Sequence, residues 1–171
     1  MRLRYWLCAW LGLSGVFSAS AWAQSAPLAA PTGKVVLTVT GSITQPNAGK
    51  QAVFDLKMIE ALPQHSFTTQ TPWYSTPVKF TGPKLSDVLA AVGAKGKEIQ
   101  AVALNNYQIT IPMSDAQRYP VVMAWKINDQ PIPIRAKGPL FIAFPYDDDA
   151  ALRTAQYYER SIWQLKQLNI Q

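Results

Sequence analysis

The stretch Ile132-Pro-Ile-Arg-Ala-Lys-Gly-Pro-Leu-Phe-Ile-Ala-Phe-Pro145 decides how the chain is read. Two cations, Arg135 and Lys137, run into Gly138-Pro139, which breaks the backbone, and Leu140–Phe144 then continues unbroken and apolar. Such a run is too short for a helix. Bounded by Gly and Pro, it predicts a strand buried on both faces. Pro145 closes it, and Tyr146-Asp-Asp-Asp149 turns polar at once. A buried strand with cations at one end and a polar loop at the other is a common framework for a ligand pocket.

On the N-terminal side of this stretch, Lys34–Thr40 alternates as a strand, with Val35, Leu37 and Val39 on one face. Gly41–Lys50 reads as a loop, and Gln64–Pro77 has no clear periodicity. Asp55–Leu62 predicts a short helix capped by Asp55 and stopped by Pro63, and Leu85–Val92 a second, with Gly93 at its end. Val78–Phe80 predicts a brief strand closed by Gly82-Pro83. Ile99–Leu104 and Tyr107–Ile111 predict a hairpin about Asn105-Asn106, since Asn tolerates positive φ. Ser114 is expected to cap a helical turn through Tyr119, Val121–Ile127 to be a strand with Trp125 in the core, and Asn128–Pro131 a turn. Thr154–Tyr158 reads as helix and Ser161–Ile170 as a last strand. The pattern is a mixed α+β domain with short helices between strands.

The first residues follow other rules. Met1–Arg4 is a basic start, Tyr5–Phe17 is apolar, and Ala21-Trp22-Ala23 has the small-x-small pattern of a signal-peptidase site. The apolar run is shorter than the roughly 20 residues of a membrane span. The expected organisation is therefore a signal peptide over 1–23, a flexible lead-in over 24–33 and one domain over 34–171. Export to the periplasm follows, with no membrane insertion after cleavage. Arg2 and Arg4 leave with the leader, which lowers the formal net charge from +6 to about +4. The remaining charges are scattered, which gives nucleic-acid binding no support.

The single cysteine is Cys8, within the leader. The mature chain thus has no disulfide, no thiolate metal ligand and no cysteine nucleophile. With His65 the lone histidine, neither catalytic zinc nor a nucleophile–His pair is expected. Asp147–Asp149 lacks the spaced acidic pattern of a calcium loop, and Gly82, Gly93 and Gly96 lack phosphate-loop spacing. No catalytic residue and no metal site is assigned. The aromatic side chains are more informative: Trp73 lies in the irregular segment Thr68–Trp73, and Trp163 is close to Arg160. Trp73 is either an anchor packed onto the domain or a surface offered to a ligand.

Phe80-Thr-Gly-Pro-Lys-Leu-Ser-Asp-Val-Leu89, Asn105–Asp115, Ala124–Pro133 and Gly138–Pro145, in that order, resemble the molybdopterin-binding domain of the sulfite oxidase family over about residues 35–170. The resemblance implies a mixed sheet with short helices, loops that enclose a pterin, and Gly138–Pro145 as the central strand. Those enzymes hold molybdenum through a cysteine in the loop before the Phe-x-Gly-x-x-Leu block. Here that loop is His65–Trp73, with threonines and no thiolate. Thr69-Gln-Thr-Pro-Trp73, Ala103-Leu-Asn-Asn-Tyr107, Arg135-Ala-Lys-Gly-Pro-Leu140 and Arg160-Ser-Ile-Trp-Gln-Leu165 are similar to the periplasmic pterin-binding regulators (PruR-type). One departure is Ala136, where an acidic residue is expected.

This second resemblance implies a non-catalytic receptor for a reduced pterin of the tetrahydropterin type. Its partner would be the periplasmic domain of a membrane-bound enzyme that makes or degrades cyclic di-GMP, a signal linked to biofilms. The implied pterin contacts are Thr69, Thr71, Trp73, Asn105, Asn106, Tyr107, Arg135, Lys137, Arg160 and Trp163. Alternatives are a molybdenum-cofactor oxidoreductase with an atypical metal ligand and a ligand-independent adaptor.

Overall fold

A computed structural model describes residues 27–171. The leader, its cleavage site, Cys8 and the first residues of the lead-in lie outside the described residues. From residue 27 onward the expected flexible lead-in is held to the domain. Leu28 packs on the core, and the amides of Thr32 and Gly33 each donate to Asp55 Oδ2 at 2.7 Å. Two charge-assisted bonds from consecutive amides tie a segment that its composition alone leaves loose.

The strands are β1 (Val35–Gly41), β2 (Ala52–Asp55), β3 (Gln64–Thr69), β4 (Val78–Pro83), β5 (Glu98–Ala103), β6 (Gln108–Pro112), β7 (Val122–Ala124), β8 (Lys126–Ile127), β9 (Gln130–Pro131), β10 (Phe141–Ala143) and β11 (Leu165–Ile170). The helices are α1 (Leu56–Ala61), α2 (Leu85–Ala91), α3 (Met113–Arg118) and α4 (Ala155–Arg160), with a 3-10 turn over Ala150–Leu152. Among the described residues the strands form three sheets, ordered β2-β1-β11-β5-β6, β10-β7 and β3-β4-β8-β9. β1 runs parallel to β11, and the other pairs are antiparallel. The α+β class follows as expected.

Local chemistry explains most boundaries. Asp55 caps α1 by accepting from the Met58 amide at 2.9 Å. Gly93 follows α2 at φ +60°, where a Cβ would strike the Thr44 hydroxyl. The β5–β6 hairpin turns through Asn106 at φ +66°. Other expectations are corrected. β2 forms where the sequence pattern assigns nothing and β3 within a segment expected to be loop, because backbone pairing overrides a weak side-chain pattern. Ser114 lies inside α3 rather than capping it; the helix is entered from Pro112. The strand expected over Val121–Ile127 is split at Trp125, since β7 pairs with β10 while β8 pairs with β4. Trp125 itself is half-buried, and its indole N–H donates to Gln64 Oε1 at 2.9 Å.

The stretch Leu140–Phe144 is fully buried on both faces, as read. It is not the central strand of the large sheet, however, because β10 pairs with β7 alone in a two-stranded ribbon. Its centrality lies in packing. Leu140, Ile142 and Phe144 face one core, with Leu37, Phe54 and Ile111. Phe141 and Ala143 face a second, with Val78, Phe80 and Val122. The period-two alternation of a strand therefore partitions the interior. Truncating Phe141 to Ala would cost roughly 3–5 kcal/mol.

Candidate ligand-binding site

Phe141 carries two tryptophans on the second core. Trp73, from the loop between β3 and β4, lies 5.6 Å from it between ring centroids, and Trp163, from the segment between α4 and β11, lies 6.0 Å away. A backbone bridge between Phe141 and Trp163 fixes the second contact. The two indoles meet edge to face at 5.6 Å and 72°. Trp73 also contacts Tyr158 edge-on at 6.2 Å. Such edge-to-face contacts are worth about 0.5–1.5 kcal/mol each beyond area burial. Trp73 thus anchors its loop on the core and also walls a cavity.

That cavity has a volume of about 390 Å³ and is lined by Trp73, Ala103, Asn105, Tyr107, Tyr158, Glu159, Ser161, Ile162 and Trp163. This size lies within the range of small-molecule sites. Its walls are largely aromatic, with polar groups from the β5–β6 turn and the end of α4. The indole separation leaves no room for a ring between Trp73 and Trp163, so a flat ligand would stack on one exposed face. The floor is stiff. Tyr146 is buried and hydrogen-bonds Ser161 through its hydroxyl, Ser161 Oγ donates to the Tyr157 carbonyl at 3.1 Å, and burial raises the Tyr146 pKa.

Four of the residues named from sequence therefore converge: Trp73, Asn105, Tyr107 and Trp163. The other six do not line the cavity. Thr69 is buried and accepts from the Asp147 amide at 3.1 Å. Thr71 is buried beside a neighbouring hollow, where its hydroxyl has no partner. Asn106 Oδ1 accepts from Lys166 Nζ at 2.7 Å. Arg135 is exposed on its loop, and Lys137 Nζ lies 4.1 Å from the Trp163 ring centroid, a cation–π contact at its edge of the site. Arg160 pairs with Asp115 at 2.7 Å. Tyr158, Glu159 and Ser161 were missed. They occupy a helix end of one and a half turns, where neither periodicity nor composition marks a binding face.

The model of the family described as the oxidoreductase molybdopterin binding domain matches residues 29–146. The chain belongs to that family. No curated protein matches the chain by sequence. The matched part of this molybdopterin-binding-type domain supplies Trp73, Ala103, Asn105 and Tyr107, whereas Tyr158–Trp163 come from the stretch beyond it.

The family implies a molybdenum-bearing pterin, and the donor set here does not fit the metal. The β3–β4 loop offers neutral threonine hydroxyls, and no cysteine occurs after Cys8. Among the described residues no three His, Cys, Asp or Glu side chains gather as metal ligands. A neutral hydroxyl replaces neither the charge nor the softness of a thiolate. The aromatic walls do fit a pterin ring, a flat system edged with donors and acceptors.

Proposed function

We propose that this domain is a non-catalytic periplasmic receptor for a reduced pterin, and that it relays pterin availability to the periplasmic part of a membrane-bound enzyme of cyclic di-GMP metabolism. The observation that carries the reading is a pterin-sized aromatic cavity in a molybdopterin-binding-type domain whose corresponding loop holds threonines in place of a thiolate. Such walls bind a ring by stacking without demanding chemistry from it. The leader-like pattern of Met1–Ala23 supports export, and no helix among the described residues is long and apolar enough to cross a membrane.

A relay needs a ligand-sensitive element that also meets the partner. The β5–β6 turn suits that role. Ala103, Asn105 and Tyr107 line the cavity, while Leu104 between them lines a separate groove with Val35, Ile134, Lys34 and Lys166. Val35, Leu104 and Ile134 are exposed at 41%, 43% and 52%. An apolar strip bordered by lysines suits a partner segment with apolar anchors and acidic flanks.

Calorimetry with tetrahydrobiopterin tests the reading, and micromolar or tighter binding is expected. Absence of binding to the purified protein would overturn it. Elemental analysis of protein from its own host separates the oxidoreductase alternative, which requires stoichiometric molybdenum. A partner pull-down with and without pterin separates the ligand-independent adaptor.

A further inference from the structure

Among the described residues, Glu159 is the one charged side chain lining the cavity. It lies near the end of α4, next to Tyr158 and two residues before Ser161, both of which line the cavity. Among the described residues no side-chain hydrogen bond or ion pair engages it: the ion pairs there are Lys79–Asp129, Arg153–Asp147 and Arg160–Asp115. None of the nearby cations lines the cavity, and only Arg160 is ion-paired. Arg160 is held by Asp115 and stacks near the Tyr157 ring, Lys137 rests on the Trp163 indole, and Lys166 binds Asn106. The cavity therefore presents a carboxylate among aromatic walls and no cation among its lining residues, with Lys137 held at the rim on Trp163.

Resting on the pterin-receptor reading above, we propose that Glu159 is the specificity residue of this site. It reads the exocyclic amine and adjacent ring N–H of an unphosphorylated pterin and excludes phosphorylated forms, including the phosphate-bearing pterin that the family name implies. A carboxylate accepts two parallel N–H bonds from an amidine-like edge, which is the edge a pterin carries. Stacking on an indole face brings the ring in flat and leaves that edge free for the acceptor. A ligand lacking the amine would return one bond fewer to the carboxylate and set a carbonyl oxygen against it. A phosphate set beside Glu159 would meet like charge, with no cation among the residues that line the cavity.

The test compares four probes on the full-length mature protein by calorimetry: a tetrahydropterin, the tetrahydrolumazine carrying oxygen in place of its exocyclic amine, hydroxymethyl-tetrahydropterin, and the phosphate ester of the last. Wild type is expected to prefer the pterin over the lumazine, and the free alcohol over its ester, by at least tenfold each. Glu159→Gln and Glu159→Ala should lose at least tenfold for the pterin and close the gap to the lumazine. Glu159→Lys should narrow the gap between alcohol and ester. An unchanged melting temperature is expected for each, because the side chain is exposed and unpaired. Wild-type pterin affinity in both Glu159→Gln and Glu159→Ala, or equal binding of the ester by wild type, would overturn this assignment while the receptor reading stands. Failure of wild type to bind any pterin would overturn the receptor reading as well.

Discussion

Arg160 Nη1 lies 2.7 Å from Asp115 Oδ2, joining the end of α4 to α3 through a pair that is almost wholly buried. Burial keeps the Asp115 carboxyl above its ordinary range even with the guanidinium beside it. The cation that reads from sequence as a ligand contact thus serves to tie down the helix that carries Tyr158 and Glu159. Arg160→Met leaves a buried carboxylate without its partner and should cost roughly 3 kcal/mol. Adding Asp115→Leu should recover most of that loss. Thermal unfolding of the single and double variants checks both, and unchanged stability of Arg160→Met would refute the tie.

Trp73 touches Phe141, Tyr146, Tyr158 and Trp163 and also walls the cavity. Trp73→Ala is therefore expected to weaken pterin binding more than tenfold and to lower the melting temperature. Trp73→Phe keeps a smaller face and should retain stability better than affinity. Calorimetry and unfolding on the same samples separate the two roles; equal losses in both variants would assign Trp73 to packing alone.

Thr71 has a buried hydroxyl without a partner, beside a hollow it shares with Gln70, Arg153 and Asp147. Thr71→Val removes an unsatisfied group at nearly constant shape, so stability should hold or rise slightly. Pterin affinity should stay within about twofold, since stacking and edge contacts come from elsewhere. A larger loss of affinity would return Thr71 to the binding site.

Asp55 accepts from Met58, Gly33 and Thr32 amides, and the Met58 bond is the largest cause of its lowered pKa. The folded state therefore holds its proton more weakly than the unfolded chain does. Its contribution to stability is complete above the ordinary carboxylate range and is lost as pH falls below about 4, through the lowered folded value. Asp55→Asn should flatten that acid limb and release the lead-in. Urea unfolding between neutral and acid pH, with proteolysis at residues 27–33, checks this; an acid limb as steep as wild type's would contradict it.

The groove beside the β5–β6 turn gives a prediction independent of the ligand. Ile134→Glu places an acid at an exposed apolar position in the groove that Lys34 and Lys166 also line. It should abolish capture of the proposed membrane-bound partner while leaving tetrahydrobiopterin affinity unchanged. Parallel pull-down and calorimetry decide, and full partner capture would move the interface elsewhere.

Much of this domain was legible in its residues. The Leu140–Phe144 run fixed a doubly buried strand, Asp55 and Gly93 marked helix ends, and Asn105-Asn106 marked the hairpin, because each depends on local sterics and hydrogen bonding. The loop Thr69–Trp73 and the late Trp163 pointed to an aromatic site, and both indoles line it. Residue type could not say where each cation would spend its charge. Lys137 on an indole, Lys166 on Asn106 and Arg160 on Asp115 are pairings between segments distant in sequence, with Asp115 and Arg160 45 residues apart. Only the tertiary fold brings those partners together. It also leaves Glu159, which no local pattern distinguishes, as the one charged side chain lining the cavity among the described residues.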